Sequence, residues 1–377
     1  MPLVAALTLL LLGAWLHPSQ SESYHKQLPV GNLIVGYVDS CAANGHDALA
    51  EARAGVNVLI WSFINLSVNA AGAPVLPFNI DPNCIAHVAT TLRNENLPTT
   101  HLISIGGWDA PHPNTTLSGD QWWNVWKTWN RDVIARPALN FSGFDGIDWD
   151  LEGNDAHSSE WNVFTPECLD VMGTMSVAAH AEGFLVTLVP PESYFDVTTS
   201  NYDRSLNHAY PEPWHPEFKY HGRNVYTYLL AKYSTQPFDL IDIQLYESYS
   251  HATYFIDQLG MSPSDYLVDW ITNVTNGWVV QFEEDASSGL KNQLIQVDPS
   301  KLIVGFSFGN NGSGKTVFIW PEDVGSAFSR LGVVNKAPRG VMFWNCHLDQ
   351  QGIFNGTSKT PYTLAGGFNA FLKVRTN

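Results

Sequence analysis

The chain has 377 residues and a formal net charge of −17, with 19 Lys and Arg against 36 Asp and Glu. A protein that gathers phosphates needs a basic face, so this balance excludes a binder of nucleic acid or of anionic membrane surfaces. Charged residues make up only 15% of the chain and hydrophobic ones 45%, which excludes disorder, because there is ample apolar surface to offset chain entropy.

At the N-terminus, residues 3–16 are almost wholly apolar, and Ser19-Gln20-Ser21 supplies the small-x-small spacing that a signal peptidase accepts. A secretory signal peptide over residues 1–21 is expected, with the mature chain at 22–377. The apolar run is shorter than the ~20 residues that span a bilayer. Asn-x-Ser/Thr triplets at Asn65, Asn114, Asn140, Asn273, Asn311 and Asn355 agree with a secreted glycoprotein. Cys41, Cys84, Cys168 and Cys346 lie far apart, with no CxxC pair and no His spacing for zinc. Two disulfides are expected in an oxidising compartment, and Cys41 with Cys84 is the preferred pair because both flank neighbouring early strands.

Short β-rich apolar runs then recur at residues 33–38, 56–64, 101–106, 143–149, 184–189, 239–246, 302–308 and 340–344. Most gaps between them are wide enough for a crossover helix, which requires parallel strands. The pattern predicts an α/β fold, a (β/α)8 TIM barrel, in a single domain, since no Pro-, Gly- or Ser-rich linker divides it. Between the third and fourth runs, Asp120 is the expected N-cap of a helix that places Trp122, Trp126 and Trp129 on one face. Helical spacing of aromatics is first a packing signal, so this stripe is read as an outer helix lying on the barrel.

The densest chemistry is Asp145-Gly146-Ile147-Asp148-Trp149-Asp150-Leu151-Glu152. Strand alternation projects Asp148, Asp150 and Glu152 to one side and Asp145 to the other. Three acids on one face repel one another, so fold stability alone does not favour them. Glu152 falls at the C-terminal strand end, where barrel active sites lie. A calcium loop starting at Asp148 is disfavoured because its twelfth position is Ser159 rather than Glu. A magnesium site lacks any neighbouring phosphate-binding signal, and a solvated turn conflicts with the apolar residues that alternate with the acids.

This segment resembles the DxxDxDxE signature of family 18 glycoside hydrolases, the chitinases. Ser104-Ile105-Gly106-Gly107 is similar to the family's SxGG motif, Gln244-Leu245-Tyr246 to its Q-x-Y motif, and Trp344 to its eighth-strand Trp. The resemblance covers the mature chain and is closer to the compact plant and fungal members. It implies cleavage of β-1,4-linked N-acetylglucosamine by a retaining mechanism in which the substrate's acetamido group is the nucleophile. Glu152 would be the general acid, Asp150 would orient the acetamido group, and Asp148 would share a proton with Asp150. Tyr246 would donate to the acetamido carbonyl, with Trp344, Gln244 and Gly106 completing the substrate-binding set. Chitin or related N-acetylglucosamine oligosaccharides are the expected partners of a secreted monomer, with no cofactor and no metal. Alternatives in the same fold are an endo-β-N-acetylglucosaminidase acting on N-glycans and a catalytically silent chitin-binding lectin; the intact Glu152 argues against the lectin. Residues 190–220 carry Tyr194, Phe195, Tyr202, Tyr210, Trp214, Phe218 and Tyr220 without periodicity, a loop able to stack on sugar rings or to pack on itself.

Residues 305–316 contain two formal matches to other chemistries. Residues 309–316 satisfy the phosphate-loop formula, yet Pro321 interrupts the helix that this loop needs. Gly305-Phe306-Ser307-Phe308-Gly309 fits the serine-hydrolase elbow, but runs into a Gly- and Asn-rich loop instead of a helix. Both are set aside.

Overall fold

Eight segments rich in Val, Ile, Leu and aromatic residues, which suit a pleated buried surface, form strands in the computed structural model. They are β1 (Leu33–Val38), β2 (Val58–Ile64), β3 (Thr100–Gly107), β4 (Gly146–Leu151), β5 (Leu185–Leu188), β6 (Leu240–Gln244), β7 (Leu302–Ser307) and β8 (Gly340–Trp344). Each pairs in parallel with its neighbours in sequence, and β8 pairs with β1, closing the barrel. The crossovers contain α1 (His46–Ala54), α2 (Pro82–Asn94), α3 (Gly119–Trp129), α4 (Pro166–Ala181), α5 (Thr227–Tyr233), α6 (Pro263–Asn276) and α7 (Pro321–Gly332), and α8 (Leu364–Leu372) follows β8. This is the expected (β/α)8 TIM barrel. The structure describes residues 26–154, 156, 158–205, 223–247, 250–308, 317–352 and 363–374. The expected signal peptide, the sequons at Asn311 and Asn355, and the phosphate-loop match lie outside these residues.

The strands are buried on both faces, as parallel strands are. Leu33, Val35, Val58, Ile60, Leu102 and Met342 fill the barrel interior, while the alternate residues pack outward against the helices. β4 begins three residues later than the sequence pattern implies. The Phe144 N–H donates to Asn130 Oδ1 at 2.8 Å and the Phe144 carbonyl accepts from Asn130 Nδ2 at 3.1 Å, so these groups are taken out of the sheet. The strand instead continues to Leu151, which pairs with Gly107.

Helix α3 is capped two residues earlier than expected: Ser118, not Asp120, is the N-cap. It forms a reciprocal capping box with Gln121, which leaves Asp120 to complement the dipole in the first turn. Trp122, Trp123 and Trp126 are fully buried, and Trp123 stacks on Trp126 with centroids 4.9 Å apart, so the stripe is packing. Cys41 and Cys84 form a disulfide, which ties the loop after β1 to α2. The second expected disulfide is absent. Cys168 lies in the first turn of α4 and Cys346 just beyond β8, on opposite sides of the barrel, and both are buried free thiols. No helix among the described residues is long and apolar enough to cross a membrane.

Candidate active site

On β4, Ile147, Trp149 and Leu151 face the helices, which leaves Asp148 and Asp150 to the barrel interior. Glu152 follows at the C-terminal mouth. Sheet register sets Ser104 beside Asp148 on one flank and Thr187 on the other. Asp148 Oδ2 accepts from Tyr37 Oη and Ser104 Oγ, both at 2.7 Å, and Oδ1 accepts from Thr187 Oγ1. Burial pushes the Asp148 carboxyl up to about 6, against the pull of these three donors, which favour the anion.

Asp150 is hydrogen-bonded to Glu152 and accepts from Gln244 Nε2 at 2.8 Å. The same Nε2 lies 2.8 Å from the Val189 carbonyl and 3.4 Å from Glu152 Oε1, so Gln244 bridges both acids. Burial, then the neighbouring charges of Glu152 and Asp148, hold Asp150 well above the usual carboxylate range. Burial pushes Glu152 up to about 7. Burial thus favours the protonated form of both Asp150 and Glu152, which are hydrogen-bonded to each other. Such a set keeps one carboxyl protonated near neutrality while another stays ionised, the condition for acid catalysis.

Two tyrosines fix the backbone that carries Glu152. Tyr226 Oη accepts from the Leu151 N–H at 2.8 Å and donates to the Leu151 carbonyl at 3.0 Å; Tyr194 Oη accepts from the Gly153 N–H at 3.0 Å. Tyr194, Phe195 and Tyr202 are accordingly buried, so this part of the aromatic segment packs and supports. Tyr210, Trp214, Phe218 and Tyr220 lie outside the described residues.

The apolar side of the mouth is built around Trp344 at the end of β8. Its ring stacks on Phe63, with centroids 5.7 Å apart and planes 14° apart, and is tilted on Tyr37 at 5.5 Å. Tyr246 packs against the same interior cluster, and burial, reinforced by Asp150, Glu152 and Asp148, raises its phenol well above the usual value. Sequence reasoning missed Phe63, because the β2–β3 register shifts between Trp61 and Ile64 and breaks simple alternation. It also missed Trp108, which is 65% exposed directly after Gly107 at the rim, though the run Gly106-Gly107-Trp108 was visible. Asp242 was missed too. It is fully buried, with neither carboxyl oxygen hydrogen-bonded among the described residues, and burial together with Asp148 keeps it well above the carboxylate range. Its strand position, two before Gln244, was the available signal.

Gly106 and Asp145 have structural duties. Asp145, at the opposite end of β4, accepts from the His101 N–H at 2.9 Å and from Lys26 Nζ at 2.9 Å, fastening β3 to β4 at the foot of the barrel. Gly106 has φ +113°, and a Cβ there would stand 2.6 Å from the Asp150 carbonyl oxygen and 2.7 Å from Leu151 Cδ2. Its place in the expected substrate-binding set is thus beside the backbone of Asp150. Gly106→Ala is expected to cost about 3 kcal/mol from overpacking and unfavourable φ. Urea denaturation of the variant checks this; an unchanged midpoint contradicts it. Among the described residues, no group of three or more His, Cys, Asp or Glu side chains is arranged to hold a metal ion.

No protein-family model and no curated protein matches the chain. Among solved structures, the barrel is similar to a GH18 chitinase from Pseudoalteromonas aurantia, with TM-score 0.52 and 12% identity over 91% of this chain and 100% of that one. It is also similar to the catalytic domain of a family GH18 chitinase from the fern Peteris ryukyuensis (TM-score 0.50, 14% identity, 90% and 99% coverage). A Group IV chitinase from Ostrinia furnacalis matches at TM-score 0.50 and 14% identity, covering 91% of this chain and 100% of that one. The chain thus has the fold of the family 18 chitinase structures.

Proposed function

We propose that the chain is a secreted family 18 glycoside hydrolase that cleaves β-1,4 linkages in chitin or related N-acetylglucosamine polymers. The observation that carries this reading is the stack of Asp148, Asp150 and Glu152 at the end of β4, with Gln244 bridging the upper two. Protonated Glu152 gives its proton to the leaving glycosidic oxygen. The substrate's acetamido oxygen attacks the anomeric carbon as the glycosidic bond breaks, which forms an oxazolinium intermediate. Asp150 accepts from the acetamido N–H after passing its own proton to the Asp148 anion, and Tyr246 donates to the acetamido oxygen. Water then opens the intermediate, returning a proton to Glu152 and retaining configuration. Trp344 and Phe63 supply an apolar floor for the sugar ring and Trp108 an exposed face at the rim. The disulfide between Cys41 and Cys84 supports an oxidising, extracellular setting.

The test is release of soluble oligosaccharides from chitin, with a high-mannose glycopeptide assayed in parallel. Release from chitin is expected; release from the glycopeptide alone would move the reading to N-glycans. The pH profile follows from the two carboxyls. Glu152 must be protonated, so activity falls as pH rises through about 7; Asp148 must be ionised, so activity falls as pH drops below about 6. A narrow bell between these limits is expected in kcat/KM, and a profile flat from pH ~4 to ~9 would refute the assignment.

A further inference from the structure

The segment that follows Trp344 is fastened to the outside of the barrel by a buried pair of carboxyls. Trp344 ends β8, and the next residues form a short helix, Cys346–Gln350, that lies against α1 and β1. A Cβ at Gly36 of β1 would stand 2.8 Å from Cys346 Sγ, so the helix seats closely. Asn345 is 2% exposed; it caps this helix by accepting from the Leu348 N–H at 3.0 Å, and its Nδ2 donates to Asp39 Oδ2, also at 3.0 Å. One turn on, Asp349 accepts from the Leu364 N–H at 2.6 Å and the Ala365 N–H at 3.0 Å, which ties the helix to the start of α8. On α1, Glu51 accepts from Gln350 Nε2 and is hydrogen-bonded to the Asp349 carboxyl. Both carboxyls are fully buried.

Two carboxylates are acceptors alone and repel each other, so the bond between Glu51 and Asp349 exists while one of them holds a proton. Glu51 Oε2 meets no N–H or O–H donor among the described residues. Two backbone N–H groups favour the anion of Asp349, which puts the proton on Glu51; burial, then the Asp349 charge, pushes Glu51 up to about 9. The neighbouring groups do not substitute for this proton. Asp47 on α1 and Asp39 after β1 add negative charge, and Asp47 meets His347 at the surface at 2.8 Å. Arg53 on α1 is bonded to Glu95, and His46 is exposed. Cys346 is a buried neutral thiol, α8 has no titratable residue, and His87 and Arg93 of α2 are exposed. We propose that Glu51 is a positioning residue for Trp344: protonated, it clamps the segment that follows this ring, and on losing the proton it releases that segment. Two buried carboxylates in contact then repel, and the tie between α1 and the short helix is lost. The proposal rests on the active-site reading given above, in which Trp344 carries the sugar.

The test compares the full chain with Glu51→Gln, which keeps a neutral donor for Asp349 and has nothing to ionise. Glu51 titrates near 4.5 when unfolded and near 9 when folded, so the stability it confers is complete below 4.5 and is lost as pH rises through about 9. Other buried carboxyls give similar slopes, so the difference between the two proteins is what is read. Between pH ~7 and ~9.5, the melting temperature of the wild type is expected to fall at least ~3 °C further than that of Glu51→Gln. In a non-cleaving Glu152→Gln background, calorimetric affinity for the N-acetylglucosamine hexamer is expected to drop about tenfold over that interval with Glu51 present, and less than about twofold with Glu51→Gln. Asp349→Asn, whose amide can donate to the Glu51 anion, is expected to remove both steps as well, and it decides the question if Glu51→Gln does not fold. Equal pH dependence of melting in the wild type and a folded variant overturns the shared proton. A difference in melting with none in affinity overturns the positioning of Trp344. If the Glu152→Gln background binds no hexamer at any pH while the melting difference persists, the active-site reading has failed, and the role toward the sugar falls with it.

Discussion

Glu152→Gln is expected to lower kcat on N-acetylglucosamine oligomers by about 10³-fold or more, the range that a lost general acid commands, while KM moves little. Gln has the shape of Glu and keeps the contact with Gln244 Nε2, now 3.4 Å from Glu152 Oε1, but has no acidic proton for the leaving oxygen. The substitution also removes the group whose deprotonation sets the alkaline limb near 7, so any residual activity should lose that limb. Initial rates across pH, with circular dichroism to confirm folding, check both points. Near-normal turnover in Glu152→Gln would remove Glu152 from its role.

An unacetylated β-1,4 glucan oligomer, or the fully deacetylated chitin oligomer, is expected to turn over at least ~10⁴-fold more slowly than its N-acetylated counterpart. An intramolecular nucleophile is worth effective molarities of about 10⁵ M or more, and this site provides no replacement. Asp150 is held protonated by burial and by its neighbours, a poor state for attack on carbon, and Asp148 is enclosed by Tyr37, Ser104 and Thr187. Asp150→Asn should reduce kcat about 10²-fold, because the amide cannot accept from the acetamido N–H with a full charge. Comparable rates on acetylated and unacetylated chains would refute acetamido participation.

Much of the barrel was legible because both of its signals are local. Parallel strands buried on both faces read as continuous apolar runs, and the helix-length gaps between them fix the topology to a few choices. The alternation of Asp148, Asp150 and Glu152 with Ile147, Trp149 and Leu151 likewise announced three acids on one side of a strand. What failed to be read was set by partners distant in sequence or by side-chain choices among near-equivalents. Ser118 won the cap of α3 over Asp120 because Gln121 returns its bond. Cys168 and Cys346 stay reduced because their helices follow strands on opposite sides of the barrel. Phe63 joins Trp344 only through a register shift in β2.

The sequence by itself determined the strand order, the class of barrel and the identity of the acids, since these follow from periodicity along one stretch of chain. Only the tertiary structure decided what those acids experience. Tyr37, Ser104 and Thr187 reach Asp148 from β1, β3 and β5, Gln244 reaches Asp150 from β6, and Tyr226 and Tyr194 hold the turn beneath Glu152 from later segments. Proton affinity depends on burial and on charges within a few ångströms, and closing a barrel brings those together from residues up to 111 positions apart in sequence.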